Sequence, residues 1–310
     1  MQGTKFFSDD QLKKRDIETL KQWFRHKFHF PFIMAVKDVP AKQRFFRGVR
    51  CPEIPNSIGR ISYPPPEKVT ELQRVNRIGQ PRFYCSVAAP AVFYELSAKQ
   101  GDFIALSEWE TTEPLWIHNL GFHPEALRKL GTQEQHIAMR YQITNPIPNE
   151  SKKNSVMRRR ISEAFTADVP PGKEYRYKQS IVINEWLSTE VSFPFPSPDH
   201  DPGAPKDKRI AGTVYPAMGM RGDADNAVLL PEFVDSSLRI KTVRYVYVEA
   251  ADQTASAYTF LTVGTADTFT GDQIQWQKNL PPEIHRRSHI ALEDGHWAVR
   301  DGFGRIYDFH

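Results

Sequence analysis

Short clusters of proline interrupt this chain and limit the folds that it can adopt. Its 310 residues include 24 prolines, and several stand together, at residues 64–66, at residues 170–171 and between Pro194 and Pro198. Proline has no backbone N–H and breaks helices, so these clusters mark loops and disfavour an all-helical design. From Phe45 onward the chain consists of short apolar runs separated by Pro and Gly. Short apolar runs separated in this way indicate a fold with several strands.

The apolar residues between these breaks predict a mixture of helices and strands. After the start signal at Ser8, residues such as Leu12, Leu20 and Phe24 recur at helical spacing, which predicts a helix over residues 8–30. Further helices are predicted at residues 90–99 and 178–190, and strands at residues 83–87, 103–109, 211–215, 227–230 and 240–250. The mixture predicts an α+β fold built around β-sheets.

Composition indicates a soluble globular protein, with 40% hydrophobic and 25% charged residues. No apolar stretch approaches the roughly 20 residues that span a bilayer. Residues 1–15 are polar and lack the apolar core of a signal peptide. The two cysteines, Cys51 and Cys85, show no disulfide or metal-binding spacing. We therefore expect a cytoplasmic protein with reduced cysteines and no membrane partner.

The charge of the chain points away from nucleic acids. Lys and Arg total 41 against 37 Asp and Glu, a net charge of +4, which is a weak signal for nucleic-acid binding and suits an anionic small substrate equally well. The basic run Arg158-Arg159-Arg160 has no aromatic residues interleaved with it. Residues 146–160 are therefore predicted to form a solvated loop or the start of a helix.

Residues 72–95 carry the pattern that is most informative about function. Arg74 and Asn76 precede a Gly79-Gln80-Pro81 turn, Tyr84 follows on a predicted strand, and Glu95 follows on a predicted helix. This order and spacing resemble the signature of the RES domain, a family named for its Arg, Glu and Ser residues.

The resemblance continues on both sides of this segment. Upstream, residues 46–50 resemble the opening strand of the family and contain Arg47 and Arg50. Downstream, residues 177–186 resemble a helix that contains Ser180, and residues 210–216 and 226–230 resemble the last block, which includes Asn226. The resemblance covers about residues 43–250, in order, with a long insertion between its halves. In one departure, Ala217 stands where the family usually has Ser after Tyr-Pro.

The resemblance implies a fold like that of the ADP-ribosyltransferases, with a RES-like catalytic domain over residues 43–250. Residues 1–42 would then form an N-terminal helical extension, and residues 251–310 a strand-rich C-terminal extension packed on the core. The implied activity is cleavage of the nicotinamide–ribose bond of NAD⁺, with NAD⁺ as the substrate and no separate cofactor. Many relatives are toxins that deplete NAD⁺, which implies an inhibitory antitoxin or immunity protein as a partner.

The residue types in the pattern fit this chemistry. Cleavage of an N-glycosidic bond passes through an oxocarbenium-like state with positive charge on the ribose, which a carboxylate such as Glu95 stabilises. The dianionic pyrophosphate matches the guanidinium groups of Arg74 and Arg47. We expect Arg74, Tyr84 and Glu95 to be catalytic, with Tyr84 at the nicotinamide ribose. The resemblance implies that NAD⁺ is bound by Arg47, Arg50, Asn76, Ser180 and Asn226.

Two other functions stay open at the level of sequence. An ADP-ribosyltransferase would use the same site to modify a macromolecular acceptor. An inactive module would sense NAD⁺ or ADP-ribose without turnover, and Ala217 at the family's Ser position favours that alternative. Taken singly, Arg and Glu residues are commonly surface ion pairs and a strand Tyr is commonly a core residue. The functional interpretation depends on the spacing.

The histidines do not predict a metal site. His26 and His29 are three residues apart, but no third ligand follows nearby. His285, His289 and His296 lie among acidic residues that suit a polar surface equally well. A Gly-x-Ser-x-Gly motif is absent from the sequence, which argues against an α/β-hydrolase.

Overall fold

The structure, a computed structural model, describes residues 6–27, 36–144, 152–190, 209–252, 256–280, 286–293, 296–301 and 305–306. The α-helices of this part of the chain are α1 (Asp9–Lys14), α2 (Ile17–Lys27), α3 (Ala89–Glu95), α4 (Pro124–Leu130), α5 (Glu134–Thr144), α6 (Lys152–Phe165), α7 (Lys178–Glu190) and α8 (Pro231–Ser237). Among these same residues, no helix is long and apolar enough to cross a membrane.

The strands are β1 (Val36–Val39), β2 (Arg44–Arg50), β3 (Phe83–Ser86), β4 (Phe103–Thr111), β5 (Leu115–Asn119), β6 (Ile210–Pro216), β7 (Asp225–Leu229), β8 (Leu238–Asp252), β9 (Ala257–Ala266), β10 (Thr268–Thr270), β11 (Gln273–Gln275), β12 (Arg287–Glu293) and β13 (His296–Asp301). Eleven of them form one sheet in the order β1-β5-β6-β7-β3-β2-β4-β8-β9-β12-β13. Strands β5 and β6 pair in parallel, and the others pair antiparallel. The chain is therefore an α+β protein with a large mixed sheet, as predicted.

The N-terminal segment forms two helices where the sequence pattern predicts one. Ser8 and Gln11 make a capping box at the start of α1, and Arg15 has an extended backbone conformation that ends it. The carboxylate of Asp16 accepts a hydrogen bond from the N–H of Thr19 at 2.7 Å, which starts α2. The prediction of one continuous helix is wrong because this second cap satisfies N–H groups only at a new helix start. Residues 28–30 lie outside the described residues.

Helices cover the part of the sheet that contains β6 and β7. The cluster there joins α1 and α2 to α6 and α7, and it includes Tyr215 and Val228 of the sheet. Phe24 of α2 meets Trp186 of α7 edge to face, with ring centroids 5.2 Å apart. Burial of these large aromatic surfaces supplies much of the free energy that holds the N-terminal helices on the core.

A second cluster packs beside the same strands and contains Phe83, Trp109 and Leu229. Phe83 and Cys85 belong to this cluster, whereas Tyr84 between them packs against the helical cluster. Alternate residues of a strand point to opposite faces of the sheet. The predicted strand at residues 83–87 is therefore observed, and it directs Tyr84 away from the second cluster.

The basic segment at residues 146–160 is more buried than its sequence suggests. Its described part belongs to α6, in which Met157 and Arg158 are buried. A fully solvated loop is thus wrong for this part, and the predicted helix start is correct. Residues 145–151 and residues 194–208 of the predicted proline-rich loop lie outside the described residues.

Candidate functional site

A cleft of about 490 Å³ opens where β7, β3 and β2 are neighbours in the sheet. Side chains from these strands and from α3 line it. It brings together six predicted site residues that are far apart in sequence: Arg47, Arg50, Arg74, Tyr84, Glu95 and Asn226. The other two, Asn76 and Ser180, do not line it.

The loop that carries Arg74 is held from both of its ends. Gly79 closes it with a positive φ of 75°, and its N–H donates to the carbonyl of Val69 at 2.8 Å. This left-handed conformation favours glycine. Next to Asn76, Arg77 makes an ion pair with Glu185 of α7 at 2.6 Å. These contacts within the protein fix the loop against α7 without a ligand.

Arg74 is a buried arginine, 5% exposed, whose guanidinium is anchored by backbone oxygens. Its Nη1 donates to the carbonyl of Phe165 at 2.7 Å and its Nη2 to that of Ala167 at 3.2 Å. The guanidinium lies 5.4 Å from the ring centroid of Tyr177 and 5.6 Å from that of Tyr215. No carboxylate among the described residues pairs with it. Its positive charge is thus available to an anion in the cleft.

Asn76 positions Tyr84 without lining the cleft. The Tyr84 hydroxyl donates to Asn76 Oδ1 at 2.6 Å and accepts from the Val75 N–H at 3.3 Å. Burial is the main cause that raises the pKa of Tyr84, so the phenol stays neutral. The hydroxyl of this cleft-lining residue therefore already donates one hydrogen bond and accepts another within the protein.

Arg47 lies on β2 and is also anchored by backbone carbonyls. Its Nε donates to the carbonyls of Ile61 and Ser62, and its Nη1 donates to that of Tyr84 at 2.6 Å. Burial lowers the pKa of Arg47 to about 10, which leaves it protonated at neutral pH. Its Nη2 makes no hydrogen bond with the described residues and remains a donor for a ligand.

Arg50 is already paired within the protein, so it is less available to a ligand than the sequence suggests. It lines the cleft rim but pairs with Asp102 at 2.9 Å, and its Nη2 donates to the carbonyls of Leu96 and Ser97. These contacts tie the end of β2 to the turn after α3. Its charge is largely compensated, so a scaffold role fits the contacts of Arg50 better than a ligand role.

Glu95 is exposed at the end of α3, and no ion pair or hydrogen bond to it is present among the described residues. The distance between Glu95 and the sheet is set by Gly48 of β2, on which α3 packs. A Cβ at Gly48 would overlap Cγ1 of Val92 and lie 2.9 Å from Cδ1 of Leu96. The absence of a side chain at residue 48 lets the helix carry Glu95 close to the strand.

The charges of Arg74 and Glu95 both affect the pKa values of two tyrosines that line the cleft, Tyr177 and Tyr215. Burial is the largest effect on Tyr177 and Tyr215 and raises the pKa of each. After burial, the charge of Arg74 lowers these pKa values and the charge of Glu95 raises them. Arg74 and Glu95 therefore act on the same two phenols and face one region of the cleft.

Asn226 of β7 has a buried amide that the protein does not use. It is 3% exposed, it lines the cleft, and neither its Oδ1 nor its Nδ2 has a hydrogen-bond partner among the described residues. An unsatisfied buried amide costs free energy. A ligand with a hydroxyl or amide group could satisfy both atoms.

Ser180 and Ala217 lie outside the cleft lining. Ser180 is buried in α7, and its Oγ donates to the carbonyl of Tyr177 at 3.1 Å. Ala217 is 0% exposed and packs with Ala91 and Met220 in a small cluster. Contact of Ser180 with NAD⁺ does not follow from this placement. Ala217 packs in an apolar cluster and does not line the cleft, and the sensor alternative that cites it stays a prediction.

Neither a thiolate nor a metal centre is built into this cleft. Cys85 is buried, and burial raises the pKa of its thiol, which keeps it protonated and poorly nucleophilic. Within the described ranges, no group of three His, Cys, Asp or Glu residues could hold a metal ion. His29 and His285, two of the histidines considered from sequence, lie outside those ranges.

Among the lining residues without a predicted role are Arg82, Tyr177, Tyr215 and Met218. Met218 contacts Arg74 directly, since its Sδ lies 3.3 Å from Nη2. Tyr215 stands two residues before Ala217 and Tyr177 begins the segment that contains Ser180. Neighbours of Ser180 and Ala217 in sequence, and not these two residues themselves, therefore line the cleft.

Comparison of the chain with protein-family models, with curated proteins and with solved structures gives no match.

Proposed function

We propose that this protein is an NAD⁺ glycohydrolase with a RES-like site on an ADP-ribosyltransferase-like fold. The observation that carries the proposal is the convergence of Arg74, Tyr84 and Glu95 with Arg47 and Asn226 in one cleft. The spacing of the first three is a sequence pattern, but their meeting with residues of β2 and β7 is a property of the fold.

The charges of the cleft support a dinucleotide substrate. Arg74 and Arg47 have no carboxylate partner among the described residues, and both keep N–H groups that can reach an anion. A pyrophosphate bound at these groups would hold the substrate along the cleft. The volume of about 490 Å³ is in the range of small-molecule sites.

Glu95 would stabilise the ribose cation in this proposal. As the bond between C1′ and the nicotinamide nitrogen breaks, the electron pair leaves with the nicotinamide and positive charge develops on the ribose. The departing ring is neutral and needs no proton, so no general acid is required. Since no described residue pairs with Glu95, its full negative charge would be available to this developing cation. Water then adds to C1′ and loses a proton.

Asn226 and Tyr84 would orient the substrate. The unpaired Oδ1 and Nδ2 of Asn226 match a group that both donates and accepts, such as a ribose hydroxyl or the nicotinamide carboxamide. The ring of Tyr84 offers a flat apolar surface, because its hydroxyl is bound to Asn76. These contacts would keep C1′ near Glu95, where placement to within about 1 Å affects rate.

The direct test is incubation of the purified protein with NAD⁺ and chromatography of the products. We expect free nicotinamide and ADP-ribose in equal amounts, formed about 10²-fold or more slowly by the Glu95→Gln variant. Phosphorylated ADP-ribose in phosphate buffer would indicate phosphorolysis, and labelling of an added macromolecule would indicate transfer. Tight NAD⁺ binding without any product would make the protein a sensor.

A cellular test addresses the proposal that the protein depletes NAD⁺ as a toxin or defence effector. Strong expression in bacteria should arrest growth and lower the NAD⁺ pool, whereas the Glu95→Gln variant at equal abundance should do neither. Rescue by co-expression of a genetically linked protein would identify the proposed antitoxin. Normal growth with an unchanged NAD⁺ pool would contradict the toxin role.

A further inference from the structure

The position of Arg82 in the cleft follows from its place next to β3 in the sequence. It stands directly before β3 and two residues before Tyr84, and alternate residues of a strand share a face. Arg82 therefore falls on the face of Tyr84, and it lines the same cleft. Like Tyr84, it is of intermediate exposure.

The guanidinium of Arg82 makes no salt bridge among the described residues, and the carboxylates of Glu232 and Glu185 act on it only from beyond salt-bridge distance. Its Nη1 donates to the carbonyl of Pro81 at 2.9 Å, and no carboxylate of the described residues forms a salt bridge with it. Nearby arginines differ, since Arg77 pairs with Glu185 and Arg50 pairs with Asp102. Burial lowers the pKa of Arg82, which reflects the lost hydration of its charge. A partly dehydrated, unpaired cation is unfavourable and is common at binding sites.

We propose that Arg82 binds the pyrophosphate of the dinucleotide, together with Arg74. This inference rests on the proposed function for the identity of the ligand. We assign an anion as the ligand because the residues that line the cleft include four arginines and a single acidic residue, Glu95. Of the four, Arg82 has the fewest hydrogen bonds to described residues, a single one, so it keeps the most N–H groups for a ligand.

The charges around Tyr84 support a pair of cations. Both Arg74 and Arg82 act on the Tyr84 hydroxyl and lower its pKa, against the larger effect of burial, which raises it. Two guanidinium groups near one phenol can contact a group with two negative charges. A single phosphate or a pyrophosphate fits this arrangement better than a neutral ribose does.

The first test measures the binding of a ligand that does not react. An effect of Arg82 on binding is then not confused with an effect on catalysis. Binding of ADP is measured by calorimetry for the wild type, Arg82→Gln, Arg82→Lys and the control Arg128→Gln. Arg128 is an exposed arginine paired with Glu134 outside the cleft lining, so its variant matches the change in net charge. We expect Arg82→Gln to bind ADP about tenfold or more weakly, Arg82→Lys to bind with intermediate affinity, and the control to bind like the wild type.

A second measurement compares NAD⁺ with nicotinamide riboside, which has no phosphate, and with NADP⁺, which has one phosphate more. Arg82→Gln should raise KM for NAD⁺ and leave the cleavage of nicotinamide riboside unchanged. Equal loss with both substrates would overturn the proposal, because it would indicate a scaffold role. A loss confined to NADP⁺ would also overturn it, since the extra phosphate and not the pyrophosphate would be the group bound.

The two levels of inference can fail separately. If the wild type binds ADP and Arg82→Gln does not, while no NAD⁺ is consumed, the glycohydrolase function fails and the anion site stands. If NAD⁺ is consumed and Arg82→Gln equals the wild type in KM and in ADP affinity, the function stands and the role of Arg82 fails. No ADP binding by the wild type at millimolar concentration would also overturn the anion site. Equal Tm values exclude misfolding as the cause of any loss.

Discussion

The segment that carries Arg74 and Tyr84 uses its polar atoms differently from the elements that carry Glu95 and Asn226. Arg74 donates to two backbone carbonyls, and Tyr84 exchanges hydrogen bonds with Asn76 and Val75. In contrast, Glu95 has no partner among the described residues, and both amide atoms of Asn226 are unpaired. The hydrogen bonds of Arg74 and Tyr84 are made within the protein, whereas the exposed carboxylate of Glu95 and the buried amide of Asn226 make none with the described residues.

This contrast separates two kinds of contribution. A residue whose polar groups are satisfied within the protein stabilises the fold, and its loss leaves buried partners unsatisfied. A residue whose buried polar group is unsatisfied weakens the fold and is expected to gain its partner on binding. Stability and activity measured on the same variants should therefore diverge between the two regions.

The largest expected effect is that of Glu95→Gln. Glutamine keeps the shape of the side chain but removes the charge that the proposed mechanism places near the ribose cation, and loss of one such electrostatic group commonly costs on the order of 10²-fold or more in rate. Turnover of NAD⁺ is measured along with the unfolding midpoint in urea, which should not change because Glu95 is exposed. Wild-type turnover in this variant would remove Glu95 from the mechanism.

Arg74→Lys should lower activity and stability together. Lysine keeps the charge but cannot contact the carbonyls of Phe165 and Ala167 and a ligand at once. We expect kcat/KM for NAD⁺ to fall by about tenfold or more, and the free energy of unfolding to fall by about 1–3 kcal/mol. The control is Arg128→Lys, which should change neither quantity. If Arg74→Lys also changes neither, Arg74 is neither an anchor nor a ligand-binding residue.

Asn226→Leu should move activity and stability in opposite directions. Leucine has a similar size and removes the unpaired amide, so the free energy of unfolding should stay constant or rise by about 1 kcal/mol. Affinity for ADP-ribose should fall by roughly tenfold. The matched control is Asn76→Leu, in which the Tyr84 hydroxyl loses its acceptor and the protein should become less stable. Destabilisation of similar size in both variants would contradict the distinction.

The smallest expected effect is that of Tyr84→Phe. The ring remains in the cleft, whereas the hydrogen bonds to Asn76 and Val75 disappear. The free energy of unfolding should fall by about 1 kcal/mol, and kcat/KM should stay within about tenfold of the wild type. A drop in rate as large as that of Glu95→Gln, at unchanged stability, would show that the hydroxyl takes part in the reaction.

The sequence predicted the fold class, several elements and much of the cleft. Strand and helix signals placed Tyr84 and Glu95 correctly because a Gly-Pro turn, an apolar alternation and a short helix are local features. The number of N-terminal helices was wrong because the cap at Asp16 competes with the apolar periodicity. Such competition is decided by individual hydrogen bonds, which periodicity does not contain.

The remaining site residues depend on contacts between distant parts of the chain. Ser180 has the expected residue type but faces a backbone carbonyl, and Ala217 lies in an apolar cluster. Arg82 has no motif to identify it. Its lack of a carboxylate partner becomes visible only when β3 is placed among its neighbours in the sheet.

Gly48 constrains how this chain can change over evolutionary time. The helix that carries Glu95 lies so close to β2 that even an alanine at residue 48 would collide with Val92. A substitution there would require a shift of the Val92 and Leu96 side chains or of the helix that carries them, and a displacement of a reacting group near 1 Å can cost about 10²-fold in rate. In the proposed mechanism, drift at residue 48 would thus impair the function of Glu95 while leaving it intact in the sequence. A homologue that retains Glu95 but has lost this glycine should have moved α3 or abandoned the chemistry.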